Sequence, residues 1–149
     1  MNPVVIRRAA ALLAGLWAGV LLGIGVFGAP AAFATVASAD AGRMAGRMFA
    51  QEAHLSLALS VLLFLMQRWQ ARQGFEGQLQ RALTPEILLI AGAMFCTVAG
   101  YFALQPMMAA ARAGQGALSF GALHGLSMLF FVLKGLLVLT LAWRLIPRA

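Results

Sequence analysis

Four long apolar stretches separated by short polar ones run along the chain, each near the roughly 20 residues that a helix needs to cross the hydrocarbon core of a bilayer. The pattern places spans at about residues 9–28, 46–67, 86–104 and 118–143. It predicts one all-α domain over residues 1–149, an integral membrane four-helix bundle.

Behind the basic start MNPVVIRR, the chain carries no charge from Ala9 to Ala39. A basic start, an apolar core and the small triplet Ala37-Ser38-Ala39 imitate a secretory signal with its cleavage site. The apolar segment up to Gly28 is longer than a usual signal core, and Pro30 stands before the triplet, so a retained first helix is expected. Gly15, Gly19 and Gly23 recur at every fourth residue of that helix, a spacing that lets another backbone approach closely in lipid. Pro30 has no N–H to donate and is expected to turn the chain within GAPAAFATVASAD.

The second helix is expected from near Ala41 to beyond Met66. At about 100° per residue, Arg43, Arg47, Gln51 and His54 form one stripe, and Gly42, Gly46 and Ala50 an adjacent small-residue stripe. Glu52 points away from the arginines, so a salt bridge along this helix is poorly placed and it needs a partner elsewhere. The polar stretch from Gln67 to Arg81, broken by Gly74 and Gly77, reads as a loop. Thr84-Pro85-Glu86 then announces a helix with a capping hydroxyl, a proline suited to the first position and an early acid. Gln105-Pro106 is expected to stop this third span, and a connection with Arg112, Gly114 and Gly116 leads to the fourth, which ends near Trp143 and Arg144.

Composition strengthens the reading. With 62% apolar and only 10% charged residues, the chain cannot cover a water-soluble globule with polar surface. A net charge of +7 would suggest nucleic acid in a soluble protein, but the arginines cluster just outside the apolar runs, so the lipid bilayer is the expected partner and nucleic acid is not. Seven of them (Arg7, Arg8, Arg68, Arg72, Arg81, Arg144, Arg148) fall on one side and three (Arg43, Arg47, Arg112) on the other. The positive-inside rule then puts both termini in the cytosol and the protein in the cell (inner) membrane. Trp69 and Trp143 suit the inner interface, and Tyr101 the outer one.

Chemistry concentrates on the last span. His124, Ser127, Phe131 and Lys134 are spaced by three, four and three, which places them on one broad face. Ionisable groups in the bilayer are costly, so that face is expected to look inward. With His54, Gln51 and Arg47 of the second helix it makes up the candidate polar face. His54 and His124 together suggest a haem or metal site, and Met44, Met48, Met107 and Met108, all on one predicted side, suggest copper. Each also has a plain packing role available, as does the single Cys96. No CxxC, HExxH, phosphate loop or nucleophile elbow is present, and the chain reads as non-enzymatic.

The first helix ending in Ala29-Pro30 and Phe33, then AGRMAGRMF, Gln105-Pro106 and FGALHGLS, together resemble the domain-of-unknown-function family 4149, related to transmembrane protein 205. The resemblance extends over residues 10 to 143 and implies a four-helix membrane protein with no established reaction. Its motifs include Pro30, Phe33, Gly42, Gly46, Phe49, His124, Gly125 and Ser127, but not Lys134. The expected function is therefore a bundle that binds a partner, lipid or small solute at a buried face around His124 and Ser127, as a homo-oligomer or with another protein. The alternative is copper or haem handling through the histidines and methionines.

Overall fold

The computed structural model describes residues 2–73 and 83–146. Gly74, Gly77, Arg81, Pro147 and Arg148, on which the rest of the expected loop and part of the charge count depend, lie outside them, whereas residues 67–73, expected to begin that loop, continue a helix. The described residues form helices and no strand. Four continuous helical spans, Pro3–Thr35, Ser38–Arg72, Pro85–Arg112 and Phe120–Leu145, are each long and apolar enough to cross a membrane.

The first span consists of α1 (Pro3–Leu22), a π-helical turn (Gly23–Gly28) and α2 (Ala29–Thr35). The second is α3 (Ser38–Gln73). The third repeats the construction of the first: α4 (Pro85–Thr97), a π-helical turn (Val98–Ala103) and α5 (Leu104–Arg112). The fourth is the unbroken α6 (Phe120–Leu145). Helix starts follow the chemistry of their sequences. Asn2, Thr84 and Ser119 accept hydrogen bonds from the backbone N–H groups of Val4 (2.9 Å), Ile87 (3.3 Å) and Ala122 (3.2 Å), and Pro3 and Pro85 occupy first-turn positions. Gly114 and Gly116 turn the chain before α6 with φ of 73° and 107°, left-handed values that glycine adopts without strain.

Neither Pro30 nor Pro106 stops its helix, contrary to expectation. Each deprives the carbonyl four residues earlier, Val26 or Phe102, of its usual donor, and both carbonyls lie in the π-helical turns, where the ladder is already shifted. The Ala29 N–H, for instance, donates to the Ile24 carbonyl five residues back. In a membrane, such breaks persist where neighbouring helices cover the freed groups. The chain reverses instead at Val36, whose backbone is extended.

The spans form a ring in which α1 packs on α3 and α6, and α4 packs on the same two helices. This leaves α3 and α6 on a diagonal. One core, toward the end bearing Arg8, Arg68 and Arg144, gathers Ala10, Ala14, Trp17 and Leu21 of α1 with Leu63, Ile90, Val138 and Leu141. A smaller one at the opposite end joins Leu104, Met108 and Leu123. Close backbone approaches also differ from expectation. A Cβ built at Gly15, Gly19, Gly23, Gly42 or Gly46 meets nothing within 4 Å, so these stripes are open among the described residues. The tight positions are in the π-helical turns, where a Cβ at Gly25 would lie 2.9 Å from Phe131 Cε1 and one at Gly100 2.5 Å from Phe130 Cβ. Adjacent phenylalanines of α6 thus seat against the two helix breaks.

Candidate functional site

Lys134, the chain's only lysine, is 3% exposed, and its Nζ donates to both carboxylate oxygens of Glu52 at 2.8 Å each. Glu52, also 3% exposed, has its partner elsewhere, as its position required, on another helix. Oε1 of Glu52 additionally accepts from the hydroxyl of Ser56, one turn along α3, and Ser56 Oγ accepts from the Trp17 indole N–H at 2.8 Å. The Ser60 hydroxyl donates to the Ser56 carbonyl at 2.7 Å. The chain of bonds Trp17 to Ser56 to Glu52 to Lys134 therefore ties α1, α3 and α6 together. Its last bond crosses the diagonal of the bundle, beside an edge-to-face contact of Phe49 with Phe131. Lys134 Nζ also lies 5.2 Å from the centre of the Phe131 ring.

At 1.5 Å of rise per residue, Trp17 stands about 14 Å from Arg8, Lys134 about 15 Å from Arg144, and Ser56 and Glu52 about 18 Å and 24 Å from Arg68. The network thus lies inside a hydrocarbon layer roughly 30 Å thick, from its middle toward the face opposite those arginines. A lone ammonium or carboxylate there would cost several kcal/mol, and pairing with bidentate geometry removes most of that penalty. Glu52 also forms part of the wall of an open cleft of about 350 Å³ between α1 and α3, with Val20, Ile24, Met48, Gln51 and Leu55. Ile24 belongs to the first π-helical turn, so the cleft lies where the first span is broken.

The other expected site residues are placed differently. Ser127 donates to the carbonyl of Gly100 at 2.7 Å and so satisfies an acceptor in the second π-helical turn. His124 is exposed rather than inward and stacks on Phe120 (ring centres 5.6 Å apart), over whose ring Arg112 lies at 4.4 Å. The buried polar spot expected around His124 and Ser127 is thus not there. His54 is exposed as well; its Nδ1 bonds the Ala50 carbonyl at 2.7 Å and its ring meets Phe102 edge-on. Arg47 and Gln51 are exposed on α3, and Arg43 pairs with Asp40.

The two histidines pack on different phenylalanines, and the four methionines are scattered. Met44 and Met107 are exposed, Met48 lies against Gly28, and Met108 is in the smaller core. Among the described residues, no three His, Cys, Asp or Glu side chains are grouped to hold a metal ion. Glu86 is the acid in the first turn of α4, hydrogen-bonded to its own backbone and to Thr84, and it also accepts from Arg144 Nε at 2.9 Å, closing α4 onto the end of α6. Trp17, Ser56 and the cleft were not anticipated. The one available signal was the phase of Glu52 and Ser56, one turn apart and off the arginine stripe.

This arrangement defines a class: a helical multi-pass membrane protein with two interrupted spans and an ion pair buried inside the bundle. Within that class the chain belongs to the family described as Domain of unknown function (DUF4149), whose sequence model matches residues 12–117, more than two thirds of its length. Trp17, Glu52 and Ser56 fall inside the match. Lys134 and the FGALHGLS motif fall outside it, so the match is shorter than the resemblance over residues 10 to 143. No curated protein and no solved structure matches the chain.

Proposed function

We propose that this protein is a non-enzymatic component of the cell membrane, with both termini in the cytosol, that binds a small amphipathic solute in the cleft between α1 and α3. The observation that carries the reading is the double position of Glu52, which is both a wall of the cleft and the partner of Lys134. Ionisable side chains held inside a bundle mark ligand or ion sites more often than they serve stability alone, because apolar residues pack as well at lower desolvation cost. Helix interruptions at corresponding places in two halves of a membrane protein are a further pointer to a binding site. Here both odd-numbered spans are interrupted, and the cleft abuts one of the breaks. No particular observation favours copper or haem over this reading.

Two experiments test it. Protein extracted directly into polymer-bounded discs and released into native mass spectrometry is expected to carry a small bound molecule. The double variant Val20→Phe/Leu55→Phe, which narrows the cleft without touching the ion pair, is expected to lose it while remaining folded. Identical spectra for the two proteins would remove the cleft as the site. For the topology, reporter fusions after Arg72 and after Arg148 are both expected to read cytosolic, since basic residues favour that side seven to three. A signal from the opposite side at either point reverses the orientation.

A further inference from the structure

We infer that the cleft selects a neutral hydrogen-bond donor on an apolar body, a lipophilic alcohol or phenol, whose hydroxyl donates to Glu52; this rests on the reading of the cleft as a binding site. The lining sets the chemistry. Val20, Ile24, Leu55 and the Met48 thioether offer only apolar contact, and Glu52 with the Gln51 amide supplies the polar groups. Among the described residues no cationic side chain lines the cleft, so an anionic head would face a carboxylate with nothing to balance it. A cationic head fares no better. Glu52 is already neutralised by Lys134 through both oxygens, and a second cation inside the bilayer would either stay uncompensated or leave Lys134 so.

A neutral donor meets neither obstacle. An ionised carboxylate offers about four acceptor positions. Lys134 and Ser56 both donate to Oε1, whereas Lys134 alone donates to Oε2. Capacity for one further donor therefore remains without breaking the ion pair. The volume of about 350 Å³ is at the small end of ligand pockets and fits a head group with the first part of a chain. Gln51 and Leu55 are exposed on the apolar part of α3 beyond its middle, so the cleft is open at the side of the bundle, and the ligand enters from the bilayer with its chain trailing into lipid.

Trp17 provides the readout, because its indole bonds Ser56 and Ser56 bonds Glu52. In a Trp69→Phe/Trp143→Phe background Trp17 is the only tryptophan. The protein in lipid nanodiscs is titrated with four probes built on one bromophenyl ring, which keeps the heavy atom beside the head group: 3-bromobenzyl alcohol, its methyl ether, 3-bromobenzylammonium and 3-bromobenzoate. The alcohol is expected to quench Trp17 saturably and about tenfold more tightly than the ether, the scale of one hydrogen bond to a charged acceptor. Saturable quenching is expected to disappear in Val20→Phe/Leu55→Phe. An ether that binds as well as the alcohol, or an ammonium or carboxylate that binds more tightly, overturns the neutral-donor assignment while leaving the cleft as a site. If no probe quenches saturably, the binding reading falls with it.

Discussion

Lys134→Met is expected to lower the free energy of unfolding by about 3–5 kcal/mol, the scale for removing one member of a buried ion pair. The loss comes from what remains: Glu52, 3% exposed inside the bundle, would hold a carboxylate with Ser56 as its remaining partner, or take up a proton. Glu52→Leu should cost a similar amount by stranding the ammonium. The double variant Glu52→Leu/Lys134→Met is expected to recover most of the loss, since two apolar side chains replace two charges and Ser56 can donate to the carbonyl of residue 52 instead. Unfolding by graded denaturing detergent in mixed micelles measures all three. Single-variant losses that simply add in the double variant would mean that the two charges do not interact.

Gly100→Leu is expected to abolish folded protein, whereas Gly19→Leu leaves the monomer intact. A Cβ at Gly100 would lie 2.5 Å from Phe130 Cβ, an atom fixed to the α6 backbone, so even Gly100→Ala forces the helices apart at a cost of about 1–3 kcal/mol. A leucine there also separates Ser127 from the Gly100 carbonyl and uncovers the π-helical turn. At Gly19 a Cβ meets nothing within 4 Å, so any effect of leucine there would appear in association with another molecule. Yield of monodisperse protein on size exclusion in mild detergent separates the cases. Equal loss at both positions would contradict the placement of the close contact.

The class of the molecule was legible because apolar run length and arginine placement are one-dimensional signals that the bilayer imposes directly. Thr84-Pro85-Glu86 was legible for a similar reason: its capping chemistry is local. Pro30 and Pro106 misled because proline is a stop in water, while inside a bundle a π-helical turn covered by a neighbouring helix carries the chain past it. His124 misled through phase. At about 100° per residue it sits about 80° from Lys134 around α6, whereas Leu123 and Ser127 are each about 20° from it. A face read as three, four and three therefore includes one residue at its margin, and burial decides which. The Gly15, Gly19 and Gly23 stripe identified a spacing, but spacing alone does not say whether another helix of the same chain lies against it. The partnership of Glu52 and Lys134 was half legible. Each needed a counter-charge, but matching them across the diagonal depends on the rotation and register of two helices 82 residues apart in the chain.

Because Lys134 is the only lysine, ζ-15N lysine labels a single site, and 13Cδ-glutamate labelling completes the pair. Dipolar dephasing of that one nitrogen by glutamate carboxyl carbon, measured by solid-state NMR on the protein in lipid bilayers, tests the central claim. Strong dephasing is expected, as two N–O contacts of 2.8 Å require, together with its disappearance in Glu52→Gln prepared with unlabelled glutamine. A Lys134 signal that is unaffected by the glutamate label would contradict the buried pair on which the account depends.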